Sequence, residues 1–300
     1  MHPMALRVRL IVTPLLFLLA FTLNACGLQN PSAPVAEAAT TSIENKGSDT
    51  IVNLALAWAE AYQTLHPEVR ISVTGGGSGT GIAALINGTV DITNASRKIK
   101  TEEVAEAQKN GIDPVELTIA RDAIAIIVNL DNPVDQLTIQ QVSDIYSGKI
   151  TNWSEVGGED RPIVRLSRET NSGTHVYFLE NVLRMGEKDS EIFFSPETLL
   201  LPSSEGITVE VRLNPNAIGY DGLGYVTEDV KVVAIAEAEG DEYVLPSAVT
   251  VNSGRYAIAR DLYMYTAGQP DGEIAVYLAW ILSPEAQQIV AELGFVPISP

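Results

Sequence analysis

From residue 46 onward, apolar side chains recur in two alternating rhythms. Residues 52–65 (VNLALAWAEAYQTL) place them at helical spacing among good helix formers. Residues 70–74 (RISVT) alternate as a strand does, 81–86 suit a helix, and 89–93 read as another strand. A charged helix is predicted over 101–110, ending at Gly111. Strands follow over 115–118 and 123–129, the second (AIAIIVN) apolar enough to be buried on both faces. A second series continues with a helix over 138–146, a strand over 163–166 and a helix over 175–182. Strands are then expected over 219–226, 231–235 and 256–265, and helices over 272–282 and 284–293. This βαβα alternation implies an α/β fold with largely parallel strands. Trp58 and Trp280 fall on apolar helix faces and are read as packing residues.

The first 44 residues follow another pattern. Arg7 and Arg9 precede an apolar run over 10–23, shorter than the ~20 residues of a comfortable membrane span. The run ends Leu23-Asn24-Ala25-Cys26-Gly27. A small residue before Cys resembles a bacterial lipoprotein signal, so residues 1–25 are expected to be the signal peptide and Cys26 the lipidated residue. An ordinary signal cut nearby and a retained membrane helix are the alternatives. Residues 27–44 are rich in Ala, Ser, Thr and Pro without an apolar period, so 26–44 is expected to be an anchor followed by a flexible tether. The folded part is then expected outside the cytoplasm, held to the cell membrane.

The chain of 300 residues suggests two globular units, and its hydrophobic fraction of 46% excludes global disorder. The formal charge is −19, and removing Arg7 and Arg9 with the signal would take it to −21. A phosphate polymer or a broad anionic membrane surface needs the opposite field, so nucleic acid is excluded as a partner. With one Cys and three His, a Cys/His zinc site is excluded by counting, whereas oxygen-only metal sites stay open.

Candidate chemistry lies in three Gly/Ser/Thr clusters, each where a strand gives way to a helix: Gly47-Ser48-Asp49-Thr50, the run 75–81 (GGGSGTG), and 168–174 (RETNSGT). Helix starts offer unpaired N–H groups, glycine permits close approach, and Ser/Thr add hydroxyl donors. Capping alone explains any one such cluster. Three together, one carrying an Arg, point to an oxyanion held from several directions. A fourth segment (NASR, 94–97) adds Ser96 as a donor and Arg97 as a charge partner. The glycine run is not a nucleotide loop, because Ile82 stands where a Walker lysine is required. No G-x-S-x-G elbow occurs, and Ser172 and His175, three residues apart at a helix start, do not make a nucleophile–base pair.

These segments, with 137–153 (LTIQQVSDIYSGKITNW), 217–226 (AIGYDGLGYV) and 282–297 (LSPEAQQIVAELGFVP), resemble the PstS-type phosphate-binding proteins of bacterial ABC transporters. The resemblance runs over nearly all of residues 45–300. It implies a type II periplasmic-binding-protein fold, two α/β lobes joined by two crossover strands with the ligand between them. The crossings are expected near 123–129 and 250–256, making lobe 1 residues 45–127 plus 252–300 and lobe 2 residues 128–251. The implied activity is capture of inorganic phosphate and delivery to permease subunits, by a monomer without catalytic residues or cofactor. The implied ligand positions are Ser48, Asp49, Thr50, Ser78, Gly79, Ser96, Arg97, Arg168, Ser172, Gly173 and Thr174.

One departure bears on selectivity. Well-known members carry an Asp after the serine matching Ser96, and it accepts the proton of HPO₄²⁻. Here that place is Arg97, as in some other members. A carboxylate acceptor separates HPO₄²⁻ from fully ionised sulfate, which has no proton to donate. Asp49 is the nearest substitute in sequence and Glu169 the second. The same fold serving sulfate, molybdate or tungstate is the first alternative, and a secreted phosphatase-like enzyme the second.

Overall fold

A strand of 15 residues, buried and mostly apolar over its second half, organises the molecule. The computed structural model describes residues 41–298. The signal 1–25, the Cys26 anchor and the tether as far as residue 40 lie outside the described residues. In chain order the strands are β1 (Thr41–Gly47), β2 (Val69–Thr74), β3 (Ile92–Ala95), β4 (Val115–Asn129), β5 (Gln136–Thr138), β6 (Val164–Arg168), β7 (Leu199–Leu201), β8 (Ala217–Gly222), β9 (Val230–Ala236) and β10 (Ala259–Thr266). The helices are α1 (Asp49–Leu65), α2 (Ser78–Ile86), α3 (Thr101–Lys109), α4 (Ile139–Ser147), α5 (Gly173–Phe178), α6 (Ser204–Leu213), α7 (Ala248–Asn252), α8 (Gly272–Ile281) and α9 (Pro284–Glu292).

The strand order β2-β1-β3-β10-β4-β8-β6-β7 passes through β4, which changes partners part-way along. Residues 115–123 of β4 pair antiparallel with β10, with a bulge at Leu262/Tyr263. Residues 124–128 pair with β8, and 126–129 pair on the other side with β9. The two largest of four hydrophobic cores among the described residues lie along β4. One gathers Trp58, Tyr62, Leu262, Tyr277 and Ile281. The other gathers Tyr146, Trp153, Phe178, Tyr220 and Val233, with the Phe178 and Tyr220 rings stacked at 3.7 Å. Trp58 is fully buried and donates its indole N–H to the Ala286 carbonyl (2.8 Å), as its place on the apolar face of α1 implies.

Several expectations need correction. The strands are mixed rather than largely parallel: β1, β2 and β3 run parallel, as do β6, β7 and β8, but β4 is antiparallel to β8, β9 and β10. The tether ends sooner than residue 44, because β1 starts at Thr41 and pairs in register with β2 from Val69 onward. Only Ile43 of its first four residues is fully buried and apolar, so its rhythm is nearly silent in sequence. Residues 115–118 and 123–129 form one strand, because the intervening charges are neutralised sideways, Asp122 by Arg260 and Arg121 by Asp261. The crossing expected at 250–256 is instead α7 and a turn. Ser247 and Thr250 cap that helix reciprocally, and Gly254 turns the chain with φ +70°. The strand that lies along β4 is β10, which begins at Ala259. The helix after β6 is α5, continued by one π-helical turn over Leu179–Leu183. Helix α6 was not anticipated, because its apolar residues Ile207, Val209, Val211 and Leu213 alternate as a strand's do, although only Ile207 and Val211 are buried.

Candidate functional site

The polar clusters gather at the ends of their strands. β1 closes on Gly47, where a Cβ would stand 2.1 Å from the Asn94 carbonyl oxygen, so only glycine lets the chain pass. Beyond it the Ser48 N–H donates to that same carbonyl (2.8 Å) and α1 begins. α2 begins at Ser78, and β3 delivers Ser96. These three serines are buried and share hydrogen bonds: Ser48 Oγ to Ser96 Oγ at 2.9 Å, and Ser78 Oγ to Ser96 Oγ at 3.2 Å. The Ser96 N–H donates to Ser78 Oγ (3.0 Å).

Segment 168–174 meets this group from the other side. The Thr174 and Thr50 hydroxyls are 2.7 Å apart although 124 residues separate them in sequence. The Gly79 N–H donates to the Asn171 carbonyl (3.0 Å). Gly173 presses so closely that a Cβ there would lie 2.3 Å from Ser78 Oγ and 2.5 Å from Ser96 Oγ. Ser172 turns inward on its own helix, its Oγ accepting the Thr174 N–H (3.2 Å).

Two buried arginines flank the hydroxyls. Arg168, 1% exposed, pairs with Asp49 (Nη2–Oδ2 3.1 Å) and donates to Ser204 Oγ (2.7 Å), the Pro202 carbonyl (2.8 Å) and the Leu201 carbonyl (3.4 Å). Of its five donors, one N–H on Nη1 is left. Asp49 also accepts the Ser204 N–H (2.9 Å), and Tyr225 holds its backbone carbonyl (2.9 Å). Arg260 pairs with Asp122 (Nη2–Oδ2 2.9 Å) and donates to the Thr174 hydroxyl (2.9 Å) and the Ser96 carbonyl (2.9 Å). It thereby ties β10 to segments from both sides of the cluster. Burial pushes the Asp122 carboxyl up, against the pull of Arg260.

Ser48, Asp49, Thr50, Ser78, Gly79, Ser96, Arg168, Ser172, Gly173 and Thr174 thus come together. Arg97 does not. Its guanidinium forms a two-pronged bridge with Glu103 (2.7 and 2.8 Å) and also donates to the Lys98 carbonyl (2.9 Å). Glu103 is held in reach because it accepts the Lys100 N–H at the start of α3 (2.8 Å). Burial would raise its carboxyl, but Arg97 and that N–H outweigh burial and hold it below the ordinary value. Glu169, the second substitute acceptor, is exposed on the surface. His175 is buried away from Ser172, its Nδ1 3.0 Å from Ser167 Oγ and its ring stacked on Phe194. Burial lowers its pKa.

Four residues of the site escaped the sequence reading: Arg260, Asp122, Ser204 and Asp221. Asp122 and Asp221 are fully buried, and Arg260 is nearly so. Their signal was charge inside otherwise apolar strands (RDAIAI, AIGYDG, IARDLY), which marks buried pairing rather than a solvent face. A cleft of about 1040 Å³ runs beside the cluster, lined by Arg97, Lys98, Arg121, Tyr177, Arg184 and Arg260 among others. The convergent donors lie in the hydroxyl cluster, not in this roomier cleft, and convergence is what a small anion needs. Among the described residues, no three His, Cys, Asp or Glu side chains gather as a metal site would.

Comparison with known proteins then decides the family. The chain matches the PBP superfamily domain over residues 34–285. It is 35% identical over 285 residues to the phosphate-binding protein PstS of Pseudomonas aeruginosa, covering 89% of this chain and 86% of that protein. The chain belongs to the PstS family. PstS of Bacillus subtilis is 32% identical over 272 residues, covering 89% of this chain and 84% of that one. A crystal structure from Clostridium perfringens, described as a phosphate ABC transporter substrate-binding protein with bound phosphate, superposes with a TM-score of 0.76 at 34% identity. It covers 86% of this chain and 100% of its own. The expected type II periplasmic-binding-protein class, a mixed α/β fold, is therefore the class of this PstS-family chain.

Proposed function

We propose that this chain is an extracytoplasmic receptor that captures inorganic phosphate and delivers it to the permease of an ABC importer, with no chemical step of its own. The observation that carries this reading is the meeting of Ser48, Thr50, Ser78, Ser96, Gly173 and Thr174 in one buried cluster flanked by Arg168 and Arg260. Hydroxyls, helix-start N–H groups and one guanidinium N–H from each arginine supply donors to a tetrahedral anion from several sides. In the two-lobe reading, residues 45–127 with 252–300 form one lobe and 128–251 the other. The change of partners along β4 at Ala123/Ile124 supports a boundary within that strand, and, β4 itself aside, the two largest cores follow the division apart from Tyr225 in the first and Tyr256, Ile258 and Val296 in the second. Only the closed arrangement joins both sets of donors, so the anion favours closure. Residues 1–25 as signal and Cys26 as lipid anchor complete the proposal, which takes the receptor to be a monomer standing off the membrane on its tether.

Calorimetric titration of the soluble chain from residue 27 with phosphate, sulfate and molybdate tests the assignment. Phosphate is expected to bind at one site per chain and to resist an equal concentration of sulfate. Displacement of labelled phosphate by equimolar sulfate or molybdate would transfer the site to another oxyanion. Arg97→Ala separates neighbouring charge from site charge. Loss of the Glu103 bridge is expected to lower stability by about 2 kcal/mol, while phosphate affinity stays within about threefold. Unfolding in urea measures the first and titration the second; a large loss of affinity would return Arg97 to the site.

A further inference from the structure

With Arg97 bridged to Glu103 and Asp49 bridged to Arg168, the site needs a carboxylate oxygen that is not already committed. Two offer one: Asp49, 16% exposed, whose contacts with Arg168 and the Ser204 N–H both fall on Oδ2, and Asp221, whose open oxygen is fully buried. Asp221 is fully buried, its Oδ1 accepts the Gly222 N–H (2.8 Å), and its Oδ2 has no hydrogen-bond partner. A buried carboxylate oxygen without a donor is costly, which marks it as a group reserved for a ligand rather than for the fold. Its place agrees. β6 and β8 pair in parallel, Val164 with Ala217 and Arg165 with Ile218. Continued in step, that register sets Arg168 abreast of Asp221 at the carboxyl ends of the two strands. Ligands of open α/β sheets are held at such strand ends.

We propose that Asp221 is the specificity-determining residue of the anion site, its free Oδ2 accepting the proton of HPO₄²⁻ and repelling fully ionised sulfate. This rests on the phosphate-receptor reading above. No covalent bond changes; the phosphate hydroxyl donates a hydrogen bond to Oδ2, while the arginines and hydroxyls hold the remaining oxygens. The charged groups around Asp221 suit this role. Arg168 favours its ionised form, and Asp122 disfavours it. Burial is the largest influence and pushes its pKa up to about 7. Asp122, by contrast, is committed on both oxygens, to Arg260 and to the Leu223 N–H.

The test is competition of sulfate against labelled phosphate on the wild-type chain and on Asp221→Asn. The amide keeps the shape but exchanges an acceptor for a donor. The wild type is expected to prefer phosphate by at least about 100-fold. In Asp221→Asn, phosphate affinity is expected to fall by tenfold or more while sulfate binding strengthens, so the preference shrinks to within about tenfold. Asp221→Ser, smaller and also uncharged, is run beside it and is expected to lose the same preference, should the amide disturb folding. A wild-type preference retained in either folded variant overturns the assignment of Asp221 alone. Failure of the wild type to bind phosphate overturns the receptor reading instead, so the two failures are distinguishable.

Discussion

Arg168→Met is expected to abolish phosphate capture at concentrations that saturate the wild type and to destabilise the fold by roughly 3–5 kcal/mol. The two effects have separate origins. Affinity falls because the guanidinium is one of two cations beside the hydroxyl cluster, and losing a buried charge-assisted contact costs on the order of 2–5 kcal/mol. Stability falls because the arginine is 1% exposed and holds together Asp49, the Ser204 hydroxyl and the Pro202 carbonyl. Methionine fills much of the volume but leaves the Asp49 charge, only 16% exposed, without its partner. Adding Asp49→Asn removes the stranded charge, so the double variant is expected to regain most of the lost stability and none of the affinity. Urea unfolding and calorimetric titration on the four chains of that cycle measure both. Affinity within about threefold of wild type in Arg168→Met would remove Arg168 from the site.

Gly173→Ala is expected to lower phosphate affinity by about 100-fold, equivalent to about 2.7 kcal/mol, with the protein still folded. The added methyl would stand 2.3 Å from Ser78 Oγ, 2.5 Å from Ser96 Oγ and 3.0 Å from Ser78 Cβ, distances that atoms do not share. Residue 173 opens α5, and Gly173 is not among the glycines with positive φ, so alanine suits the local backbone and raises helix propensity. Local structure thus survives while segment 168–174 can no longer close on Ser78 and Ser96. Circular dichroism unchanged from wild type together with a weak titration is the expected pair of results. Wild-type affinity would mean that the three segments need not meet for the anion to bind.

Together with the Asp221 variants, these substitutions separate three roles that the same small volume contains: charge, closeness of approach and the choice between anions. The acidic balance of the chain, −19, opposes anions only at long range. At contact distance, paired arginines and aligned donors decide, which is why a chain of this charge can belong to a phosphate-binding family.

What the sequence determined by itself was local or ordered along the chain. Helical spacing over 52–65 located α1 and its buried Trp58. The Gly/Ser/Thr segments located the strand-to-helix transitions that present Ser48, Ser78 and Thr174, and their order pointed to the family. These are legible because caps, glycines and hydrophobic period act within a few residues. What only the tertiary structure decided was pairing at a distance. Arg97 sits in one of the four polar segments, yet Glu103 takes its guanidinium, and Asp49 is taken by Arg168. Arg260 and Asp122, 138 residues apart, meet at the site although neither lies in a recognisable motif. Strand order has the same cause: β10 returns to lie antiparallel to β4 and turns an expected parallel sheet into a mixed one. A charge written in sequence states its sign; its partner, and so its use, is chosen by which strands become neighbours, and packing of the two cores makes that choice.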